Sequence, residues 1–393
     1  MRVVSSWRMA QGTPDLVQTH SARTRRIGRI ALVVLGVCAA VTLFGREVVA
    51  NTPMGRSTHP AHHSSIVEAG PGDAVQSFDV RPNAGMLAWS PDGTRIATSG
   101  LLDLILGVWD WRQGKQLATI RKTMGGGRSI AFTSDGRGVI TTSITPDPDA
   151  VLSVWRYATG HIRQVPIPYP GFRWAAAKFS ISADGTRLAL LPNATDIDLY
   201  DSTAWQVLSR FPDTRGMYLA MSPSGREIAI LDFDGAIRIV NAITGALRLR
   251  IQGWPYVGGA IAWSPDGRFI AAGAAGANTR RNPATDTIET VSDPSLIKVW
   301  SAATGKLVAG DRANIGQENM DSVAFSHDSK NLASVGGKGG DVRIWSVQTM
   351  KLVEHIELGV SCEDAQFSPS DQYLAIACAD RVFVYDVSHL RQE

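Results

Sequence analysis

The sequence predicts an all-β protein, on three observations. One short phrase, an apolar residue leading into Ser-Pro-Asp-Gly or a close variant, is written seven times. It stands at Trp89-Ser90-Pro91-Asp92-Gly93, Phe132-Thr133-Ser134-Asp135-Gly136, Phe179-Ser180 (with its turn at Ala183-Asp184-Gly185), Met221-Ser222-Pro223-Ser224-Gly225, Trp263-Ser264-Pro265-Asp266-Gly267, Phe325-Ser326-His327-Asp328-Ser329 and Phe367-Ser368-Pro369-Ser370-Asp371. A closing pair answers each copy: Val108-Trp109, Val154-Trp155, Leu199-Tyr200, Ile239-Val240, Val299-Trp300, Ile344-Trp345 and Val384-Tyr385. The lead residues recur at intervals of 43, 47, 42, 42, 62 and 42. Pro presets φ at the second position of a turn, and Asp-Gly tolerates the left-handed residues that complete it, so each phrase reads as strand, tight turn, strand. A unit of roughly 40–45 residues with three or four strands is a propeller blade. Seven leads and seven closers predict a seven-bladed β-propeller.

In chain order, the first 50 residues are expected to be a signal peptide or a signal anchor. Arg23, Arg25, Arg26 and Arg29 precede residues 30–44, fifteen uncharged and mostly apolar residues. That run is short against the ~20 residues of a comfortable membrane-spanning helix. It suits the apolar region of a signal peptide, with Val48-Val49-Ala50 as a cleavage site. Both readings place the N-terminus in the cytoplasm and the rest outside it, periplasmic, secreted or anchored at the inner membrane. The basic balance belongs to this leader: residues 1–50 hold seven Arg, no Lys and two acids (Asp15 and Glu47). The remaining 32 basic and 34 acidic residues offer no electrostatic footprint for nucleic acid. Residues 51–74, rich in Pro, Gly, Ser and His, read as a flexible linker, and the propeller is expected over 75–393.

The strand count carries an argument about closure. Six repeats continue into a fourth strand, as at 117–120, 247–251 and 352–356. The last repeat stops after three, within a few residues of Glu393. The strand at 75–80 has no blade of its own, so it is expected to complete the last blade and close the ring. Closure shields strand edges. Near-continuous apolar runs such as Leu188-Ala189-Leu190-Leu191 fit strands buried on both faces. Trp109, Trp155, Tyr200, Trp300, Trp345 and Tyr385 are expected as wedges between blades. Asp103, Asp196, Asp234, Asp341 and Asp380 are expected to bond turn backbone.

Carried by these residues, the chain resembles the WD40-repeat β-propellers over about 75–387. Trp109-Asp110 alone keeps the Trp-Asp pair, and no Gly-His dipeptide stands ahead of a repeat, so the family's His-centred network is not carried over. The resemblance implies a monomeric propeller that binds a protein partner. It also implies that connections between second and third strands share a rim with the loops between repeats. The fifth repeat carries an insertion of about 20 residues in that connection, 276–294, with Asn278, Arg280, Arg281 and Asn282 as candidate partner contacts. Long loops on a rigid scaffold are where binding concentrates.

Cys362 and Cys378 flank the last repeat's first hairpin. If it is centred on Ser370 they oppose one another, close enough for a disulfide in an exported protein; two buried thiols remain the other reading. No HExxH, Gly-x-Ser-x-Gly, Walker loop, CxxC or CxxCH occurs, so no catalytic, cofactor-binding or metal-ligating residues are assigned. The function expected is an exported protein–protein interaction scaffold. The alternative is a propeller that binds a small ligand, or catalyses a reaction, at its central channel.

Overall fold

A computed structural model describes residues 66–392, except 81–84, 101–104, 122–128, 143–151, 166–177, 193–195, 213–215, 255–257, 275–278, 282–287, 291–296, 311–319 and 337–338. The leader, the linker as far as residue 65, Asp103, Asn278 and Asn282 lie outside the described residues. No described helix is long and apolar enough to cross a membrane.

Seven four-stranded antiparallel blades follow one another: blade 1 (86–121), blade 2 (130–165), blade 3 (178–211), blade 4 (216–251), blade 5 (258–310), blade 6 (320–357) and blade 7 (362–386). Blade 7 supplies three strands, and Gln76–Asp79 adds the fourth by pairing antiparallel with Arg381–Asp386. The ring is therefore closed by its two ends. Phe78 seats this closing strand, 5% exposed, with its ring 5.1 Å from that of Trp109 in blade 1.

The repeated phrase works as a side-chain clasp on the turn between first and second strands. In blade 1 the Ser90 hydroxyl donates to Asp92 Oδ1 (2.6 Å) and accepts from the Arg95 N–H (2.9 Å). The same carboxylate oxygen accepts from the Thr94 N–H at 3.0 Å. The clasp recurs at Thr133/Asp135, Ser182/Asp184, Ser264/Asp266 and Ser326/Asp328. Bonds from the Ser182 hydroxyl and the Thr186 N–H hold the Asp184 carboxyl below the usual carboxylate range. The turn ends in a residue at positive φ, which Gly93 (67°) adopts without strain. Blades 6 and 7 put Ser329 (62°) and Asp371 (55°) there instead. Each substitute bonds to the neighbouring turn. Ser329 Oγ accepts from the Asp266 N–H at 3.0 Å, and Asp371 accepts from the N–H groups of His327 (2.7 Å) and Asp328 (2.8 Å). Backbone strain is thus offset by bonds between blades.

The core lies between blades. Trp109, Trp155, Tyr200, Trp300, Trp345 and Tyr385 are all buried, at most 8% exposed, as wedges. Trp300 sits edge-on to Trp254, 5.5 Å between centroids, in a cluster joining blades 4, 5 and 6. Buried indole N–H groups find partners: Trp109 donates to Thr98 Oγ1 and Trp345 to Ser334 Oγ, both at 3.0 Å.

Three expectations are corrected in detail. The linker read as 51–74 is structured at its end: Val67–Ala69 is a strand parallel to Leu352–Glu357, and Pro71–Asp73 is a 3-10 turn. A Pro- and Gly-rich composition did not reveal it because the pairing partner lies some 285 residues away. The last hairpin pairs Phe367 with Leu374, so it is not centred on Ser370. A bulge at Glu363 restores the opposition of Cys362 and Cys378, which are bonded with sulfurs 2.08 Å apart. Of the expected turn aspartates, Asp234 accepts from the Ala236 N–H at 3.1 Å, but Asp341 turns to Arg343 and His355.

Closure by the N-terminal strand gives a direct test. Phe78→Ala should lower the stability of the ring by about 3–5 kcal/mol, read from chemical denaturation. A loss below about 1 kcal/mol would mean that the strand is not a structural part of blade 7.

Candidate functional site

Topology separates the two faces of the ring. Each first strand runs to the clasped turn and the second returns. The connections between second and third strands therefore leave from the rim where the first strands begin, together with those between blades. The opposite rim is uniform: the clasped turns span 90–94, 133–138, 182–186, 222–226, 264–268, 326–330 and 368–372. The first rim is not. Its connections within blades run from 379–380 in blade 7 to 275–296 in blade 5, and those between blades from 212–215 to 166–177. Variation is confined to the face whose geometry the blade does not dictate.

The longest connection is the insertion expected from the sequence, between Phe269–Ala274 and Ile297–Ser301. It carries its own two-stranded sheet, in which Thr279–Arg281 pairs antiparallel with Ile288–Thr290. Arg280 stands opposite Glu289 and Arg281 opposite Ile288. A short ladder gives this loop local backbone order, which the run of polar residues did not announce.

The axis of the ring holds a cavity of about 460 Å³, lined by the first strands of all seven blades. Its charged lining includes Lys178, Asp321 and Glu363. The Lys178 ammonium lies 2.8 Å from the centroid of Tyr218 on the next blade, a cation–π contact. Asp321 and Glu363 occupy bulges near the start of their strands in blades 6 and 7. Bulges in strands of this kind re-aim side chains, and nothing in the repeated phrase marks them. No group of three or more metal-ligating side chains occurs among the described residues.

Beneath the acids, Asp364 ties three blades together. It is 2% exposed and accepts from the Leu87 N–H of blade 1 (3.1 Å), the Ser322 hydroxyl of blade 6 (2.7 Å) and Gln366 Nε2 (3.1 Å). Burial pushes its carboxyl above the usual range, outweighing these donors. Smaller hydroxyls make the same link elsewhere: Ser129 accepts from the Phe179 N–H and Ser180 from the Met221 N–H, both at 3.0 Å. Asp364 is accordingly a joint of the ring. Two histidines also sit at joints: His327 meets Asp371 at 3.2 Å and His389 meets Glu354 at 3.2 Å.

Comparisons with known proteins agree with this architecture. The family model described as "WD domain, G-beta repeat" matches residues 315–346, within and just before blade 6. The small ribosomal subunit protein RACK1y of Oryza sativa subsp. japonica is 31% identical over 106 residues. That alignment covers 27% of this chain and spans about a third (31%) of the relative's length. A chain in the crystal structure of a mitotic checkpoint complex superposes with a TM-score of 0.63, covering 87% of this chain and 99% of its own. At 16% identity that likeness is one of fold.

Asp364 gives a pH test whose sign follows from its raised pKa. A carboxyl raised by burial favours the folded state below its unfolded value of about 3.9, and that advantage is lost as pH rises through the folded value. Between about pH 4 and pH 7 the wild-type protein should therefore lose stability relative to Asp364→Asn, measured by denaturant titration. A difference that stays constant with pH would show that the carboxyl is not desolvated.

Proposed function

The chain is a WD40-repeat β-propeller, and on that premise we propose that it is an exported scaffold for protein–protein interaction. The observation that carries this reading is the contrast between the rims. One is built of near-identical clasped turns, while the other presents connections of every length from 379–380 to 275–296. A closed ring of interlocked blades loses little conformational entropy when its loops engage a partner, so binding there is favoured by a rigid base. The insertion of blade 5, with Arg280 and Arg281 on its hairpin, is the longest connection on that rim and the contact surface of this proposal.

The relatives are compatible with such a role. One is named as a small ribosomal subunit protein and the other comes from a checkpoint complex, so each belongs to an assembly. Export is supported by the Arg-flanked apolar run at 30–44 and by the bond between Cys362 and Cys378. Disulfides persist in oxidising compartments and are rare in reducing ones.

Two experiments test the reading. Crosslinking capture from the envelope fraction should recover a partner with the full chain and lose it when 276–294 is shortened to a turn, with thermal stability unchanged. Identical recoveries would overturn the rim assignment and favour a ligand in the central channel. Protease added to intact spheroplasts should degrade the ring, whereas complete protection would place it in the cytoplasm.

A further inference from the structure

The two ends of the described chain meet on the outer side of blades 6 and 7. Val67–Ala69 runs parallel to the fourth strand of blade 6, with Val67 opposite Glu354, Glu68 opposite His355 and Ala69 opposite Ile356. The chain then turns through Pro71–Asp73, where the Asp73 carboxylate accepts from the Gly70 N–H at 2.8 Å. The Gly70 carbonyl accepts from the buried Tyr385 hydroxyl at 2.8 Å. Burial, with the charges of Asp73 and Glu354, pushes the Tyr385 phenol up, so this donor keeps its proton at ordinary pH. Ala69 and Ala74 rest on the apolar cluster of Ile356, Leu358 and Leu390.

His355 supplies a contact of a different kind, because both of its ring nitrogens face carboxylates. Nδ1 lies 2.8 Å from Glu68 Oε2 and Nε2 lies 3.0 Å from Asp341 Oδ1. A neutral imidazole carries one N–H and one lone pair, so it can serve only one of two acceptors; the imidazolium donates to both. Among the described residues, the charged groups on this face are Glu68 from the strap, Asp341 and Arg343 from the third strand, and Glu357 on the histidine's own strand. Glu354 points to the other face, where His389 meets it. Three carboxylates therefore face one guanidinium, and that guanidinium is bound to Asp341 through Nε (3.0 Å) and NH2 (2.7 Å). Asp341 is held from both sides and is 25% exposed. The Glu68 side chain is 68% exposed, so water can take its place at little cost.

We propose that residues 66–74 form a strap over the outer edge of blade 6 that closes when His355 is protonated and loosens when it is not. The imidazolium donates to both carboxylates and the neutral ring to only one, so the strap is held most firmly when His355 carries a proton on each ring nitrogen. Opening leaves Leu352–Glu357 as an unpaired strand edge and frees nine residues, 66–74, adding up to ~30 Å to the segment ahead of the ring. The device does not depend on where the protein resides.

Amide hydrogen exchange on the full-length protein tests it, with rates corrected to protection factors so that the intrinsic effect of pH is removed. In the wild type, protection of peptides covering 66–74 should fall about two- to fivefold between pH 6 and pH 8, the range of a partly exposed ion pair. In Glu68→Gln and in His355→Gln it should be the same at both pH values, while His389→Gln should keep the wild-type fall. The strap proposal is overturned by flat protection in the wild type, by a fall that survives in Glu68→Gln, or by its loss in His389→Gln. Glu68 is exposed, so its variant decides the matter even if His355→Gln does not fold.

Discussion

The hydrogen bonds between Gln76–Asp79 and Arg381–Asp386 are the constraint on which the rest of the ring depends. A propeller blade buries apolar residues on both faces, and each face is covered only by the next blade. Without a covered seventh blade, the apolar faces of blades 1 and 7 would confront water, and the wedge Trp109 would lose a wall. Pairing the two ends converts a row of sheets into a circle in which every blade has two neighbours. Phe78 and Val80, both 5% exposed, are the apolar residues that fix this joint in the cluster shared with Trp109 and Val384.

Closure also explains how polar chemistry is distributed. Inner strands converge on the axis, so a side chain there reaches a neighbouring blade within a single hydrogen bond. Asp364, Ser129 and Ser180 make such links at the inner ring, and Ser329 and Asp371 make them between turns. These residues hold blades together, which leaves the variable rim as the part of the molecule least committed to the fold. The last blade carries additional fastening, with a disulfide across its first hairpin and the strap that crosses from blade 6 to Tyr385. Fastening concentrates where the chain has two ends and the ring has its seam.

A large part of this was legible in the residues. The phrase Ser-Pro-Asp-Gly is a local structure: its hydroxyl, carboxylate and glycine act within five residues, so the turn is written where it forms. Blade number, strand order, the aromatic wedges and the insertion of blade 5 follow from repeating that local unit. The closing strand was legible by counting, since one strand lacked a blade and one blade lacked a strand. The candidate contacts Arg280 and Arg281 were legible only as an interruption of the period, and their hairpin pairing was not.

What the tertiary structure decided are relations between residues far apart in sequence. The meeting of Glu68 with His355, and of Tyr385 with Gly70, spans nearly the whole propeller, and no spacing rule connects them. The register of the last hairpin was set by a bulge at Glu363, a backbone irregularity that leaves no compositional trace, and the opposition of Cys362 and Cys378 depends on it. Sequence determines what a segment of five to ten residues does because its bonds are made within itself. It leaves open which segments meet across the ring, because those contacts are selected by packing only once all seven blades are in place.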